Sequence, residues 1–179
     1  DPGGRGWVST AYSPRTGNLY LPLAEFCSNT TPEPLDPGQI YTGGGRATFD
    51  RVPVPESDGN IGRVDAMNLE NREQVWSHRQ RAPIVSAVLP TGGGVVFAGD
   101  MNRRFMAFDD ETGEILWTSG RAPNALNSFP ITYTADGKQY VAVVSTSGSG
   151  LTRSWGSLTP EIQLPSEQTT TLLVYALPE

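Results

Sequence analysis

Apolar residues along this chain come in short runs, and the runs alternate with turn-forming residues. VVFAG (95–99), YVAVV (140–144) and LLVYAL (172–177) are rich in β-branched and aromatic side chains and are bounded by Pro, Gly, Asn and Asp. No stretch shows convincing helical spacing, so the pattern predicts an all-β chain. It predicts a hairpin over 7–23 with its turn at 13–18. Four strands follow within 84–117, with turns at 90–94, 99–103 and 109–113. PITYT and KQYVAVV form a further hairpin closed by Ala135-Asp136-Gly137, and a last strand lies at 169–177. Residues 28–60 are dense in Pro, Gly and Asp and read as a long loop with a short strand near RATFD. Residues 146–168 read as a second long loop.

Within this pattern one unit occurs twice. AFDDETGEILW (107–117) places a small residue, an acidic turn, a glycine and a tryptophan in order. Asp109 is suited to accept hydrogen bonds from the turn amides, and Gly113 to take a positive φ. AMNLENREQVW (66–76) repeats the spacing 41 residues earlier, with Asn68 where Asp109 stands. The strand of 62–65 is expected to lead into the earlier copy as 95–99 leads into the later one. Trp76 and Trp117 then read as side chains that pack one sheet on the next. A period of about 40–45 residues built from short strands indicates β-propeller blades. The chain accounts for about three of them, where a propeller closes with four to eight. Either another chain supplies the remaining blades, or several copies of this one close a ring.

Composition narrows the function classes. The 179 residues include 20 Gly and 15 Pro, and the net charge of −6, with 13 basic residues scattered, speaks against nucleic acid or acidic partners. No apolar run approaches the ~20 residues of a membrane span, and no signal peptide is visible. The start at Asp1 suggests a processed or excised piece. Cys27 is the sole cysteine; it reads as a buried thiol, with a bridge to another chain left open. His78, in SHRQR, reads as solvated. The charges of 100–104 read as a solvated turn, and Asp109 and Asp110 as a hairpin turn rather than a metal site.

GGGVVFAGDMNRRFMAFDDETGEILW, followed by FPITYTADGKQYVAVVS, resembles the C-terminal blades of the pyrroloquinoline quinone (PQQ) dependent alcohol dehydrogenases. AYSPRTGNLYLPLAEFC resembles the strand pair entering that region. The resemblance covers most of the chain outside the two loops. It implies one C-terminal segment, 1–179, of an eight-bladed periplasmic or secreted propeller holding PQQ and a calcium or lanthanide ion. In that family an Asp acts as general base while hydride passes from the alcohol to the quinone, whose carbonyl the metal polarises. The catalytic Asp and the metal ligands lie upstream of the part this chain resembles, so no catalytic or metal residue is assigned here.

What the resemblance implies for this chain is a pocket wall. Ala24, Val85, Ser86, Asn124 and Asn127 fall at positions facing the cofactor, and Gly150, Leu151 and Trp155 at positions lining the substrate funnel. Ala24 stands where many members have Asn, and Val85 where some have a cofactor-contacting Trp. Either the cofactor is held mainly by the other part, or the pocket is widened for a bulky alcohol, or the cofactor is lost. The implied partners are a larger N-terminal chain, an alcohol substrate and a cytochrome acceptor; no C-x-x-C-H haem site occurs in the sequence. The competing reading is a non-catalytic propeller scaffold of the same repeat type.

Overall fold

The computed structural model describes residues 4–40, 46–147, 152 and 155–177. β1 (Ala11–Ser13) and β2 (Asn18–Ala24) form the expected hairpin. The chain leaves this sheet as a second hairpin, β3 (Phe26–Glu33) with β4 (Arg46–Pro53), and returns as β5 (Gly62–Asn68) and β6 (Gln74–Gln80). The first sheet therefore has the antiparallel order β1-β2-β5-β6. β7 (Leu89–Pro90), β8 (Val95–Gly99), β9 (Phe105–Asp109) and β10 (Ile115–Thr118) build the second sheet in sequence order. β11 (Ile131–Ala135), β12 (Lys138–Thr146) and β13 (Thr170–Ala176) build a three-stranded third.

Three expectations change at this level. The segment 28–60 is not simply a loop: β3 and β4 pair over eight residues, from Phe26 with Pro53 to Glu33 with Arg46. A two-stranded ribbon has open edges that tolerate Pro32 and Pro53, which is why the proline content hid a strand pair. Cys27 is exposed rather than buried, because β3 buries Phe26 and turns the next side chain outward. Residues 62–65 are the first half of β5, which continues through Ala66, so the strand matching β8 in the first sheet is β2.

The sheets pack face to face. Tyr20, Val64, Ala66, Trp76, Val96, Met106 and Phe108 fill the space between the first and second. Phe105, Leu126 and Val143 do so between the second and third, with Phe97, Leu173 and Tyr175 partly buried beside them. In each repeat the tryptophan faces its alanine across the hairpin, Trp76 opposite Ala66 and Trp117 opposite Ala107, with a register shift beside each pair. Asp109 Oδ1 accepts from the N–H groups of Glu111 (3.0 Å) and Thr112 (2.8 Å), and Asn68 Oδ1 from those of Glu70 (3.0 Å) and Asn71 (3.2 Å). The turns are thus the same structure, and Gly113 takes its expected positive φ of 74°.

Trp76 seats on the second sheet's turn. Its indole Nε1 donates to the Asp110 carbonyl at 3.1 Å, which also accepts from the Tyr20 hydroxyl at 2.9 Å. A Cβ on Gly113 would lie 2.6 Å from the indole ring, so only glycine fits beneath it. Arg15 closes the seat from the first sheet's turn, pairing with the buried Asp110 carboxylate and, at 3.0 Å, with Glu111. The acidic pair 109–110 is therefore committed to turn and clamp.

Two side chains expected in solvent lie at the same boundary. His78 is half-buried with its ring 5.1 Å from that of Phe108, and burial lowers its pKa below the ordinary value. Asp100 is buried beneath the turn it opens, accepting from the Arg104 N–H (2.8 Å) and from Gln80 Nε2 (3.1 Å). Burial pushes its carboxyl up to about 6.

Candidate functional site

Strand direction gathers the expected wall residues at one end of the sheets, opposite the docking turns. β2 ends there at Ala24, whose N–H and C=O both bond Gly4 at 2.8 Å. The connection entering the second sheet starts there with Ile84, bridged to Asp100. The connection between β10 and β11 brings residues 124–128 to the same place. Ala87 N–H donates to the Ser128 carbonyl (3.1 Å) and Val88 N–H to that of Ser9 (3.4 Å), which laces the inner ends of the three sheets together.

Ala24, Val85 and Trp155 meet in one apolar cluster with Val8, Phe26, Ile61, Met101, Ala125 and Leu158. Trp155, among the largest fully buried side chains, stands edge-on to Phe26 with centroids 5.9 Å apart. Small residues at 24, 85 and 125 leave the room that this indole fills. These three predicted residues are thus brought together, with Trp155 as the filling of the cluster. Gly150 and Leu151 lie outside the described residues.

The polar candidates divide into committed and uncommitted groups. Ser86 Oγ donates to the Ala87 carbonyl (2.7 Å) and accepts from the Gly99 N–H (2.6 Å), so it clips the loop to β8. Asn124 Nδ2 donates to Thr169 Oγ1 (2.7 Å) and the Glu167 carbonyl (3.3 Å), while Ser145 Oγ holds its backbone. Asn124 Oδ1, both side-chain atoms of Asn127, and Thr159 Oγ1 are buried without a hydrogen-bond partner. A buried polar atom left unpaired costs about 1–3 kcal/mol, so their concentration on segments that flank one apolar cluster calls for a partner.

The charged margin is occupied. Glu25 receives Arg63 at 2.8 Å and Arg79 at 3.0 Å, and Arg63 also grips Asp65. Asp65 is the main cause raising the Arg63 pKa. Arg81 reaches Glu161 at 2.6 Å and the Leu158 carbonyl at 2.7 Å. Among the described residues these three arginines are spent on carboxylates of the same chain. An apolar and aromatic cluster with unpaired amides beside it is the kind of wall that borders a planar, polar-edged group such as PQQ, and Arg63, Arg79 and Arg81 are already paired with carboxylates of this chain.

Sequence reasoning missed a further pair. Trp7 and Phe129, 57% and 46% exposed, lie 5.4 Å apart between ring centroids at the inner ends of the first and third sheets. The available signal was the position of each just ahead of an inner strand, β1 or β11.

Residues 34–141 match the family model described as PQQ glucose/ethanol/alcohol dehydrogenase, beta-propeller domain. A quinoprotein ethanol dehydrogenase of Pseudomonas putida is 33% identical over 98% of this chain and 27% of its own length. A lanthanide-dependent methanol dehydrogenase of Methylorubrum extorquens is 34% identical over 77% of this chain and 23% of its own. The solved structure of a europium-containing methanol dehydrogenase superposes with a TM-score of 0.80 at 27% identity, over 98% of this chain and 33% of that one. The chain thus spans about a quarter of the curated relatives it matches. Its sheets are blades of the same propeller, and the chain belongs to the family of PQQ-dependent alcohol dehydrogenase β-propellers.

Proposed function

We propose that this chain works as part of a PQQ-dependent dehydrogenase that oxidises an alcohol to an aldehyde or ketone, in the periplasm or outside the cell. The observation that carries the reading is the family match over most of the chain, together with buried, unpaired amides at one end of the blades. Bound PQQ, with a calcium or lanthanide ion, supplies the hydride acceptor. The general-base Asp and the metal ligands lie on the rest of the propeller, whether in one longer polypeptide or on a larger partner chain. A cytochrome then takes the electrons.

This chain's part is to shape and dry the wall. Ala24, Val85 and Trp155 keep water from one side of the site, Ser86 fixes the loop that carries Val85, and Asn124 and Asn127 present amides. Native mass spectrometry of the protein from its source tests the reading. The expected species carries this sequence with the rest of the propeller and the added mass of PQQ and a metal ion. A complete propeller free of PQQ and metal, and unable to take them up, moves the function to a non-catalytic scaffold.

A further inference from the structure

The face that the second sheet turns to the first is repeated on the far side of the first sheet. Val96 opposite Phe108 and Ala98 opposite Met106 are buried between the two sheets. Leu19 opposite Met67 and Leu21 opposite Asp65 hold the same places one repeat earlier, where Leu19, Leu21 and Met67 are only half-buried. The turns beside these faces correspond bond for bond. Gly113 N–H donates to the Asp109 carbonyl (2.9 Å) and Asp110 N–H to that of Gly94 (3.0 Å). Arg72 N–H donates to the Asn68 carbonyl (2.9 Å) and Leu69 N–H to that of Gly17 (3.1 Å).

Two residues of the tryptophan seat are exchanged on the first sheet's turn. Arg72, with φ 63°, stands at the place of Gly113, and Leu69, 52% exposed, stands at that of Asp110, whose carboxylate Arg15 clamps. A Cβ at Gly113 would lie 2.6 Å from the Trp76 ring, and the Cβ of Arg72 occupies the equivalent place. An indole held in the pose of Trp76 overlaps it. Asp65, at the place of Met106, is moreover paired with Arg63, so this face is ionic where its counterpart is apolar.

From this we infer that the blade preceding the first sheet packs on it without a tryptophan seated on the 68–73 turn, and that it meets Leu69 and Met67 with an aliphatic side chain. The occupant is a blade because the half-buried face repeats, position for position, one that a blade covers. The rest of the propeller supplies it, since the chain spans about a quarter of its relatives. The contact is aliphatic because Leu69 and Met67 are apolar while Arg72 denies a flat ring its floor. This joint belongs to the assembly of the propeller and is independent of alcohol oxidation.

The full-length protein carries the test. Its crystal structure is expected to show the preceding blade on Leu19, Leu21 and Met67, an aliphatic side chain against Leu69, and no indole on the turn. A tryptophan there, its N–H on the Leu69 carbonyl as that of Trp76 is on Asp110, overturns the inference. So does any other aromatic or polar side chain in that place, and so does a first sheet covered by something other than a blade. Melting of two variants reads the same joint in solution. Arg72→Gly and Arg72→Asn both suit a positive φ, but only glycine clears the floor for a ring. Their melting temperatures are expected to agree within about 2 °C, because backbone effects alone separate them. Arg72→Gly melting well above Arg72→Asn overturns the inference by revealing a ring that settles once the Cβ is gone. Each of these overturning results leaves the proposed function standing, which fails separately if the complete propeller takes up no PQQ.

Discussion

Trp76 and Trp117 hold the same place in two repeats, each opposite an alanine of its own hairpin, yet Trp76 is 7% exposed and Trp117 40%. The difference lies in the seats. Trp76 meets Phe108, with ring centroids 6.3 Å apart, and then finds the turn after β9, where Gly113 clears the floor and the Asp110 carbonyl takes its N–H. Trp117 meets Tyr175 edge-on at 5.1 Å on β13, but the described residues hold no such turn beyond that strand. A tryptophan in this repeat supplies contact area; the next blade's third turn supplies the place for it. Docking is a property of the pair of blades, and the sequence unit marks only half of it.

The largest effect is expected where the seat is complete. Trp76→Ala removes a buried indole between two sheets and is expected to cost about 3–5 kcal/mol in chemical denaturation. A cost below 1 kcal/mol breaks the claim that this seat joins the blades. Gly113→Ala attacks the same seat from the other side and is expected to cost about 2–4 kcal/mol, from the positive φ and from overpacking against the indole. Arg72, 41 residues earlier with φ 63°, is exposed and carries a full side chain. The turn geometry therefore tolerates a Cβ, and the seated tryptophan is what demands glycine. In the Trp76→Ala background, Gly113→Ala is expected to cost only the backbone part, and a double-mutant cycle measures the remainder.

Most of the blade pattern was legible because its signals are local. Short β-branched runs, turn residues such as Asp109 and Gly113, and the 41-residue offset each depend on neighbours in sequence. The β3–β4 ribbon was hidden because proline content argues against strands except where an edge stays open. The burial of Asp100 and the packing of His78 on Phe108 were missed for another reason: both are set by contact between sheets, which a charged or polar stretch does not disclose. At the site end, the positions of Ala24, Val85 and Trp155 followed from resemblance, but their meeting in one cluster needed the fold. Asn127's unpaired amide is invisible to sequence, since pairing is decided by what the surrounding loops leave unmet.

The boundary between the first and second sheets also carries a titration, at the end away from the Trp76 seat. Gln80 of the first sheet donates to Asp100 of the second, and burial holds the Asp100 carboxyl at about 6 against an ordinary 3.8. A carboxylate with a raised folded pKa binds more protons folded than unfolded between those values. Its protonated form therefore favours the fold at low pH, and that contribution is lost as pH rises from about 4 through about 6. Asp100→Asn is expected to remove this slope and to gain up to about 2 kcal/mol at pH 7, less whatever the Gln80 contact contributes. His78 works in the opposite sense: its lowered pKa makes its contribution present above 6.5 and lost as pH falls through the folded value. Denaturation midpoints from pH 4 to 8 separate the two, and an unchanged slope in Asp100→Asn places the titration elsewhere.

The smallest effect belongs to the incomplete seat. Trp117→Ala in this chain is expected to cost about 1–2 kcal/mol, because a ring that is 40% exposed and stands edge-on to Tyr175 has less burial to lose than Trp76. In a protein that carries the rest of the propeller, the same substitution is expected to approach the cost of Trp76→Ala. A strand paired to the outer edge of β13, followed by a turn with glycine at the seat position, accounts for that rise. Equal small costs in both proteins mean that Tyr175 is the whole of the Trp117 seat and that the third sheet ends at three strands. Equal large costs mean that the edge-on contact with Tyr175 already does what Gly113 and the Asp110 carbonyl do for Trp76, so that a blade needs an aromatic on its third strand more than it needs a turn.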